Sequence, residues 1–316
     1  MTAAQKAVRP TGKGYFFRMH DYLREMLPIP RHALFAALAA IGVAGFTTTL
    51  QRAHAIQSSA AVLSVAWNVF AMLVILRLMD ELKDAAIDRR LFPERPLPSG
   101  RVSERDIRIS LASMASLYLL ANLYSAATTI SALLVLGYSM LVFKRFFAPA
   151  LLERSLPITL ATHTPIVPII WSQAFVAAAT AQGIALSDLH WGLVSLYVAM
   201  LWLAMLGWEL SRKIRCAEEE SEYVTYSQIL GRTGAVMLTI GAQTGAALIG
   251  FFFWLLLDLG SPYLVLVVLG WAASCWGHAR FLIRPDRRTS KLKPYASALI
   301  IGLLLAQISG FVLARL

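Results

Sequence analysis

Asp80-Glu81-Leu82-Lys83-Asp84-Ala85-Ala86-Ile87-Asp88, followed by Arg95-Pro96-Leu97-Pro98-Ser99-Gly100, decides how this chain is read. Asp80, Asp84 and Asp88 recur at four-residue spacing at the end of an apolar, helix-length run. That spacing sets the carboxylates close to one face of a helix. The C-terminal end of a helix is its negative pole, where a carboxylate is disfavoured by about 0.3–1 kcal/mol. Three on one face also repel one another. A bound divalent cation relieves both penalties, because hard cations take oxygen ligands. The competing reading is a solvated acidic face balanced by Lys83, Arg89 and Arg90.

Composition sets the solvent. Of 316 residues, 58% are hydrophobic and only 15% charged, and mean hydropathy is +0.62. A soluble chain carries about a quarter charged residues, so most of this surface faces lipid. A bilayer core of about 30 Å takes about 20 apolar residues per helix. Nine runs qualify, at about 33–51, 59–79, 107–124, 127–143, 155–178, 190–208, 233–257, 261–280 and 294–314. Irregular backbone cannot face lipid, and strand-like alternation at barrel spacing is absent, so an all-α polytopic membrane protein with nine transmembrane helices is expected.

The basic residues orient it. Of the 29 Lys and Arg, 27 fall in 1–32, 77–108, 144–154, 212–232 and 280–293, all on the side of the N-terminus, leaving Arg52 and Arg315 on the other. The acids divide the same way, with only Asp188 and Asp258 outside. The positive-inside rule then predicts a cytoplasmic N-terminus and a C-terminus on the opposite face. The net charge of +11 reads as membrane orientation and attraction to anionic lipid or phosphate, with no further support for a nucleic-acid partner. Cys216 and Cys275 form no metal or redox motif. Residues 1–32 read as a cytoplasmic segment without a signal peptide, and 33–316 as one transmembrane domain. In the first segment a short amphipathic helix is expected on the membrane surface, with Tyr15, Phe16, Phe17, Tyr22 and Leu23 in lipid and Arg18 and Arg24 in water.

Two cytoplasmic loops, about 80–106 and 209–232, are long and dense in charge. Both follow even-numbered helices and so share a membrane face, over a bundle able to hold an apolar tail. In the first, Pro93, Pro96 and Pro98 stop the helix and Ser99-Gly100 turns the chain. Ser103 to Asp106 fits a capping box that starts the next helix. Arg95 and Arg101 therefore sit on a stiff loop near the carboxylates. In the second, Glu209 ends an apolar helix as Asp80 does, and Glu218, Glu219, Glu220 and Glu222 follow. These glutamates read either as further metal ligands or as an ordinary Glu209–Lys213 ion pair and a solvated turn. Lys144-Arg145 at the cytoplasmic boundary suit a phosphate, although topology alone also places bases there. Trp67, Trp171, Trp202 and Trp208 read as bundle packing ahead of cavity lining, and Asn68 and His163 as interhelical hydrogen bonds.

These features resemble the UbiA superfamily of intramembrane prenyltransferases. Asp80, Asp84 and Asp88 match the family's Asn-x3-Asp-x3-Asp motif with Asp in the first place, and Arg95 to Gly100 matches its Arg-Pro-Leu-Pro-Ser-Gly element in full. Lys144-Arg145 resembles the basic pair after the fourth helix, although the usual tyrosine spacing is not kept at Tyr138. Thr225 to Gly231 resembles the stretch that opens the seventh. The family's second acidic motif is altered: no aspartate lies between Asp188 and Asp258, Glu218 stands where its last aspartate falls, and Glu209 near its start. The likeness runs from about residue 20 to the C-terminus. It implies a nine-helix bundle in a bacterial-type inner or plasma membrane. The implied reaction is Mg2+-dependent transfer of a prenyl group from a polyprenyl diphosphate to a small, by default aromatic, acceptor, with no obligate protein partner. It assigns Asp80, Asp84, Asp88 and Glu209 to catalysis. Those four with Glu218 and Glu219 would ligate metal, and Lys144, Arg145, Arg95 and Lys213 would hold the diphosphate. The rival readings are a UbiA-like terpene cyclase or another isoprenoid-phosphate enzyme, and a transporter. A CDP-alcohol phosphotransferase is argued against because its Asp-Gly-x2-Ala-Arg opening is missing. A transporter would place its ionisable groups near the bilayer midplane rather than at one boundary.

Overall fold

The structure, a computed structural model, describes residues 14–50, 59–221 and 224–311, the side chain of Glu153 excepted. Arg52, Glu222, Arg315 and the residues before Gly14 lie outside the described residues. In order, the helices are α1 (Tyr15–Met26), α2 (Ile29–Leu50), α3 (Ser59–Lys83), α4 (Ala85–Leu91), α5 (Glu104–Leu120), α6 (Ala126–Phe143), α7 (Pro149–Arg154), α8 (Leu156–His163), α9 (Ile166–Ala181), α10 (Trp191–Ser211), α11 (Tyr226–Leu257), α12 (Gly260–Ile283) and α13 (Lys293–Phe311). No strand occurs among the described residues.

Eight helical segments are long and apolar enough to cross a membrane: α2, α3, α6, α8 with α9, α10, α11, α12 and α13. The run at 107–124 is the exception. Its helix, α5, is 17 residues long, about 25 Å, because a cap fixes its start at Glu104 and the chain turns after Leu120. The run at 155–178 is broken between α8 and α9, where Pro165 has no N–H to continue the helix.

The chain divides into two compact units, one from Met1–Ala37 and Ala66–Phe147, the other from Leu38–Val65 and Ala148–Leu316. In the first, Met19, Tyr22 and Leu27 pack with Val74 and Leu78 of α3, Val102, and Ile107 of α5. A stripe of Tyr15, Arg18, Met19 and Tyr22 faces this core, the i, i+3, i+4, i+7 spacing of one helix face. Here the sequence expectation needs correction. Tyr22 is buried against protein, not lipid, and the Arg18 side chain, 17% exposed, turns to an acid rather than to water alone. Its guanidinium donates to both Asp106 carboxylate oxygens, Nη2 at 2.6 Å and Nε at 2.9 Å. Tyr15 bonds Ser110 at 2.7 Å. Phe16 and Phe17, 83% and 70% exposed, keep the expected outward face, and Arg24 is exposed as expected.

Asp106 also closes the expected capping box: Ser103 N donates to its carboxylate at 3.0 Å, and Ser103 Oγ accepts from Asp106 N at 3.1 Å. The Arg18 hydrogen bonds, ahead of the Ser103 bonds and against burial, hold the Asp106 carboxyl down at about 2, from an ordinary 3.8. A carboxyl depressed in the fold stabilises it fully above 3.8 and loses that effect as pH falls through about 2. Arg18→Met is therefore expected to melt below wild type at neutral pH. The gap should narrow toward about pH 2, as read by thermal melts in detergent across that range. A gap independent of pH would rule out the pair as its cause.

Asn68 and Asn122 are buried, and Asn122 Nδ2 donates to Asn68 Oδ1 at 2.7 Å and to Tyr118 O at 2.8 Å. The bond ties α3 to the turn between α5 and α6, where a bond between helices was expected. His163 meets the hydroxyl of its neighbour Thr162 at 3.2 Å.

In the second unit α10 packs on α9, α11 and α13, and α12 on α11 and α13. One end is filled by aromatic rings: Phe46 stands 4.5 Å from Tyr197, 5.0 Å from Phe253, 5.4 Å from Phe311 and 5.9 Å from Phe175. Tyr197 lies twelve residues before Glu209 on α10, about 18 Å along the axis. The polar end of this helix and its aromatic end are thus well separated.

Candidate active site

The acidic stretch spans a helix break. α3 stops at Lys83, α4 starts at Ala85, and Asp84 lies between them at φ −98°, ψ 4°. The helical hydrogen bonds nevertheless run on: Asp84 N donates to Asp80 O and Asp88 N to Asp84 O, each at 2.9 Å. The three aspartates therefore sit on consecutive turns. At about 100° per residue, each fourth residue has drifted about 40° around the axis, so Asp88 stands about 80° from Asp80. Exposure follows that rotation. The side chains of Asp80 and Asp84 are 49% and 43% exposed, and that of Asp88 is 9% exposed.

Each aspartate has a base beside it. Lys83 Nζ lies 2.6 Å from Asp80 Oδ1, Arg145 Nη2 3.9 Å from Asp84 Oδ1, and Arg95 Nη1 2.8 Å from Asp88 Oδ2. Burial pushes the Asp84 carboxyl upward, and Asp80 and Asp88 add to this, while Lys83 and Arg145 pull it down. Arg95 is held further by stacking, its guanidinium carbon 3.8 Å from the centre of the Phe92 ring. Its loop is tied by turns: Arg95 N to Phe92 O, Ser99 N to Arg95 O, Gly100 N to Leu97 O and Val102 N to Pro96 O. Gly100 takes φ +76°, which a side chain would oppose. Arg101 fastens the loop to α1 through two bonds to Glu25, at 2.7 and 3.0 Å.

Lys144 caps the end of α6, its ammonium 5.4 Å from the Phe143 ring centre. Arg145, Phe146 and Phe147 follow with φ of 49°, 51° and 56°. Left-handed backbone costs a non-glycine residue about 1–2 kcal/mol. Three in succession is a strained turn, of the kind that collects at functional sites. It swings Arg145 back toward Asp84.

In the second unit the loop glutamates are separately engaged. Glu209, at the end of α10, pairs with Arg212 at 2.9 Å and Lys213 at 3.5 Å. Glu218 pairs with Arg287 at 3.2 Å, both side chains exposed. Glu219 accepts from Ser290 Oγ at 2.5 Å and Cys216 Sγ at 3.4 Å. Burial pushes the Glu219 carboxyl up, but those hydrogen bonds and Arg215 bring it below its ordinary value. Glu220 accepts from Thr225 and Ser227, and Thr225 caps α11 in a capping box with Gln228. The Thr225-to-Gly231 stretch thus opens α11, and Gly231 breaks its first turns at φ +68°, ψ 160°. Among the described residues, no three His, Cys, Asp or Glu side chains gather as a ready-made metal centre.

Sequence reasoning passed over Glu81. Its side chain is 1% exposed and pairs with Arg77 at 2.5 Å. Tyr22 OH donates to it at 3.3 Å. Nothing in the spacing of the aspartates marks this residue. The signal was the four-residue step from Arg77.

The UbiA prenyltransferase family model matches residues 33–304. The chain belongs to that family. It is therefore a prenyltransferase and an integral membrane protein. No curated protein matches it. Two solved structures resemble this UbiA chain. One is of a digeranylgeranylglyceryl phosphate synthase in membranes, with TM-score 0.63 and 18% identity over 94% of this chain and 99% of the other. The second is the apo structure of a UbiA homologue from Aeropyrum pernix K1, with TM-score 0.67 and 18% identity over 90% and 98%. At such identity the likeness concerns the fold, which is of the UbiA type.

Proposed function

We propose that this UbiA enzyme transfers a prenyl group from a polyprenyl diphosphate to a small acceptor, using Mg2+ held at Asp80 and Asp84. The observation behind this reading is a pair of half-exposed carboxylates one helical turn apart, each with a base at hand, at the end of a membrane-length helix. Family members generally use divalent metal ions. The donor set fits: two oxygen ligands suffice, because Mg2+ is commonly held by one or two carboxylates and completed by substrate phosphates. When bound, the ion would act as a Lewis acid on the leaving diphosphate.

The chain's own groups do the rest. Lys83 lies beside Asp80 and Arg145 beside Asp84, and both would turn toward phosphate oxygens where a metal took the carboxylates. Arg95 keeps most of its five donors while Asp88 and Phe92 fix its plane, so Asp88 serves chiefly to orient it. Lys144 adds a second point charge beside Arg145. The prenyl C–O bond breaks as diphosphate leaves, the acceptor forms the new bond, and the acceptor's proton is released.

On the second loop, by the sequence resemblance alone, we assign Glu209 to metal and Lys213 to phosphate. Glu218 and Glu219 are poorer ligands than Glu209. Glu219 is committed to Ser290 and Cys216, and Glu218 belongs to an exposed pair. We read 1–32 as a cytoplasmic segment and 33–316 as one nine-helix domain, with α5 as the short ninth span and both charged loops cytoplasmic.

The test is incubation of purified protein with Mg2+, a panel of prenyl diphosphates and a pool of aromatic and other small acceptors, read by mass spectrometry. Acceptor–prenyl adducts are expected with Mg2+ and none in EDTA. Full turnover in EDTA without added metal would remove the metal from the reading. A cyclised hydrocarbon formed without acceptor would replace transfer with a cyclase reaction.

A further inference from the structure

Glu81 is the most deeply buried acid of the 80–88 stretch, and it is incompletely satisfied. Its Oε2 takes both the Arg77 guanidinium at 2.5 Å and the Tyr22 hydroxyl at 3.3 Å. Its Oε1 is buried without a hydrogen-bond partner, as is Arg77 Nε. A buried carboxylate oxygen with no partner is costly, and most buried polar groups avoid that state. The residue is therefore a poor choice for holding helices together, a task apolar packing performs at less cost. Its position suggests another task. Glu81 and Asp88 are seven residues apart, two turns, and share a helix face. Asp88 and Arg95 both lie within electrostatic reach of Glu81. Arg77, Glu81, Asp88 and Arg95 make a chain of two bases and two acids with no net charge, and Tyr22 fastens it to α1.

We propose that Glu81 is a positioning residue for the metal–diphosphate site: by holding Arg77 and Tyr22 beneath the Asp80–Asp88 turns, it fixes their rotation so that Asp80 and Asp84 face outward while Asp88 stays with Arg95. This rests on the reading of Asp80 and Asp84 given above. Partners behind metal ligands typically change metal affinity by about 10–100-fold when removed. A group that merely supports the fold would change how much protein is competent, not how tightly the competent protein binds.

The experiment titrates Mn2+, visible by electron paramagnetic resonance, onto full-length protein in detergent with inorganic pyrophosphate. Wild type, Glu81→Gln and Tyr22→Phe are compared, with a thermal melt of each. Glu81→Gln is expected to weaken pyrophosphate-dependent Mn2+ binding at least about tenfold at unchanged stoichiometry, and Tyr22→Phe by a smaller factor in the same direction. Unchanged affinity in both variants overturns the proposal, as does lost stoichiometry with unchanged affinity. Should Glu81→Gln fail to fold, Tyr22→Phe decides alone, since it keeps the ion pair and removes one hydroxyl. Wild type that binds no Mn2+ would sink the metal assignment itself, a failure seen before any variant is compared.

Discussion

Asp84→Asn is expected to lower kcat by about 10²–10³-fold, equivalent to about 2.7–4 kcal/mol, the scale found when one charge-stabilising group is removed from a site. The melting midpoint is expected to stay level or rise. Asn keeps the shape, and Asp84 makes no side-chain cap bond to α4. Arg145, the base paired with it, stands 3.9 Å away. Burial disfavours its charged form, so at neutral pH the ionised carboxylate is a burden on the fold. Loss of function with gain of stability is the pattern of a residue kept for chemistry. Asp88→Asn should behave differently, because it leaves Arg95 without its 2.8 Å partner at a nearly buried site. There turnover and stability fall together. The measurement is kcat for prenyl transfer alongside melts of both variants in detergent. If Asp84→Asn keeps kcat within about threefold of wild type, Asp84 is not a metal ligand.

The contrast between these two aspartates marks how far the sequence could be read. Spacing placed Asp80, Asp84 and Asp88 on consecutive turns, and the backbone bonds from 84 to 80 and 88 to 84 show it. Spacing also carried the 40° drift per step, but not which side of the axis protein would cover. That depended on α1, whose Tyr22 reaches Glu81 across 59 positions of chain. Local signals were legible because their partners are local: Ser103 with Asp106, Glu209 with Lys213, Thr225 opening α11. Arg18 was read as solvated because nothing near it in sequence demands an acid. Its partner, Asp106, stands 88 positions away and had already been assigned to a cap. Hydropathy located the membrane segments, since lipid acts on every residue of a run alike. It missed the break at Pro165 and the early end of α5, each set by a few residues rather than by an average.

Gly302→Ala should destabilise the protein while Gly241→Ala should not, although both replace a mid-helix glycine by the same residue. A methyl on Gly302 would lie 2.7 Å from Leu266 O and 3.1 Å from the Cα of Gly270. One on Gly270 would in turn lie 2.9 Å from Ala298 O and 3.1 Å from the Cα of Leu299. The obstacles are backbone atoms, which cannot swing aside, so α12 and α13 must separate. In lipid, where apolar surface gives helices no reason to associate, close backbone approach at small residues supplies much of the attraction. Overpacking of this kind costs about 1–3 kcal/mol. Gly241 has nothing within 4 Å of such a methyl. There the substitution should only gain the helix preference of alanine, about 0.5–1 kcal/mol. Melts in detergent should therefore shift in opposite directions, and shifts of the same sign would show that the α12–α13 approach is not what holds the unit together. Since α13 also packs on α10, the helix that ends in Glu209, the Gly302 variant should lose activity beyond its loss of folded protein. The Gly241 variant should lose none.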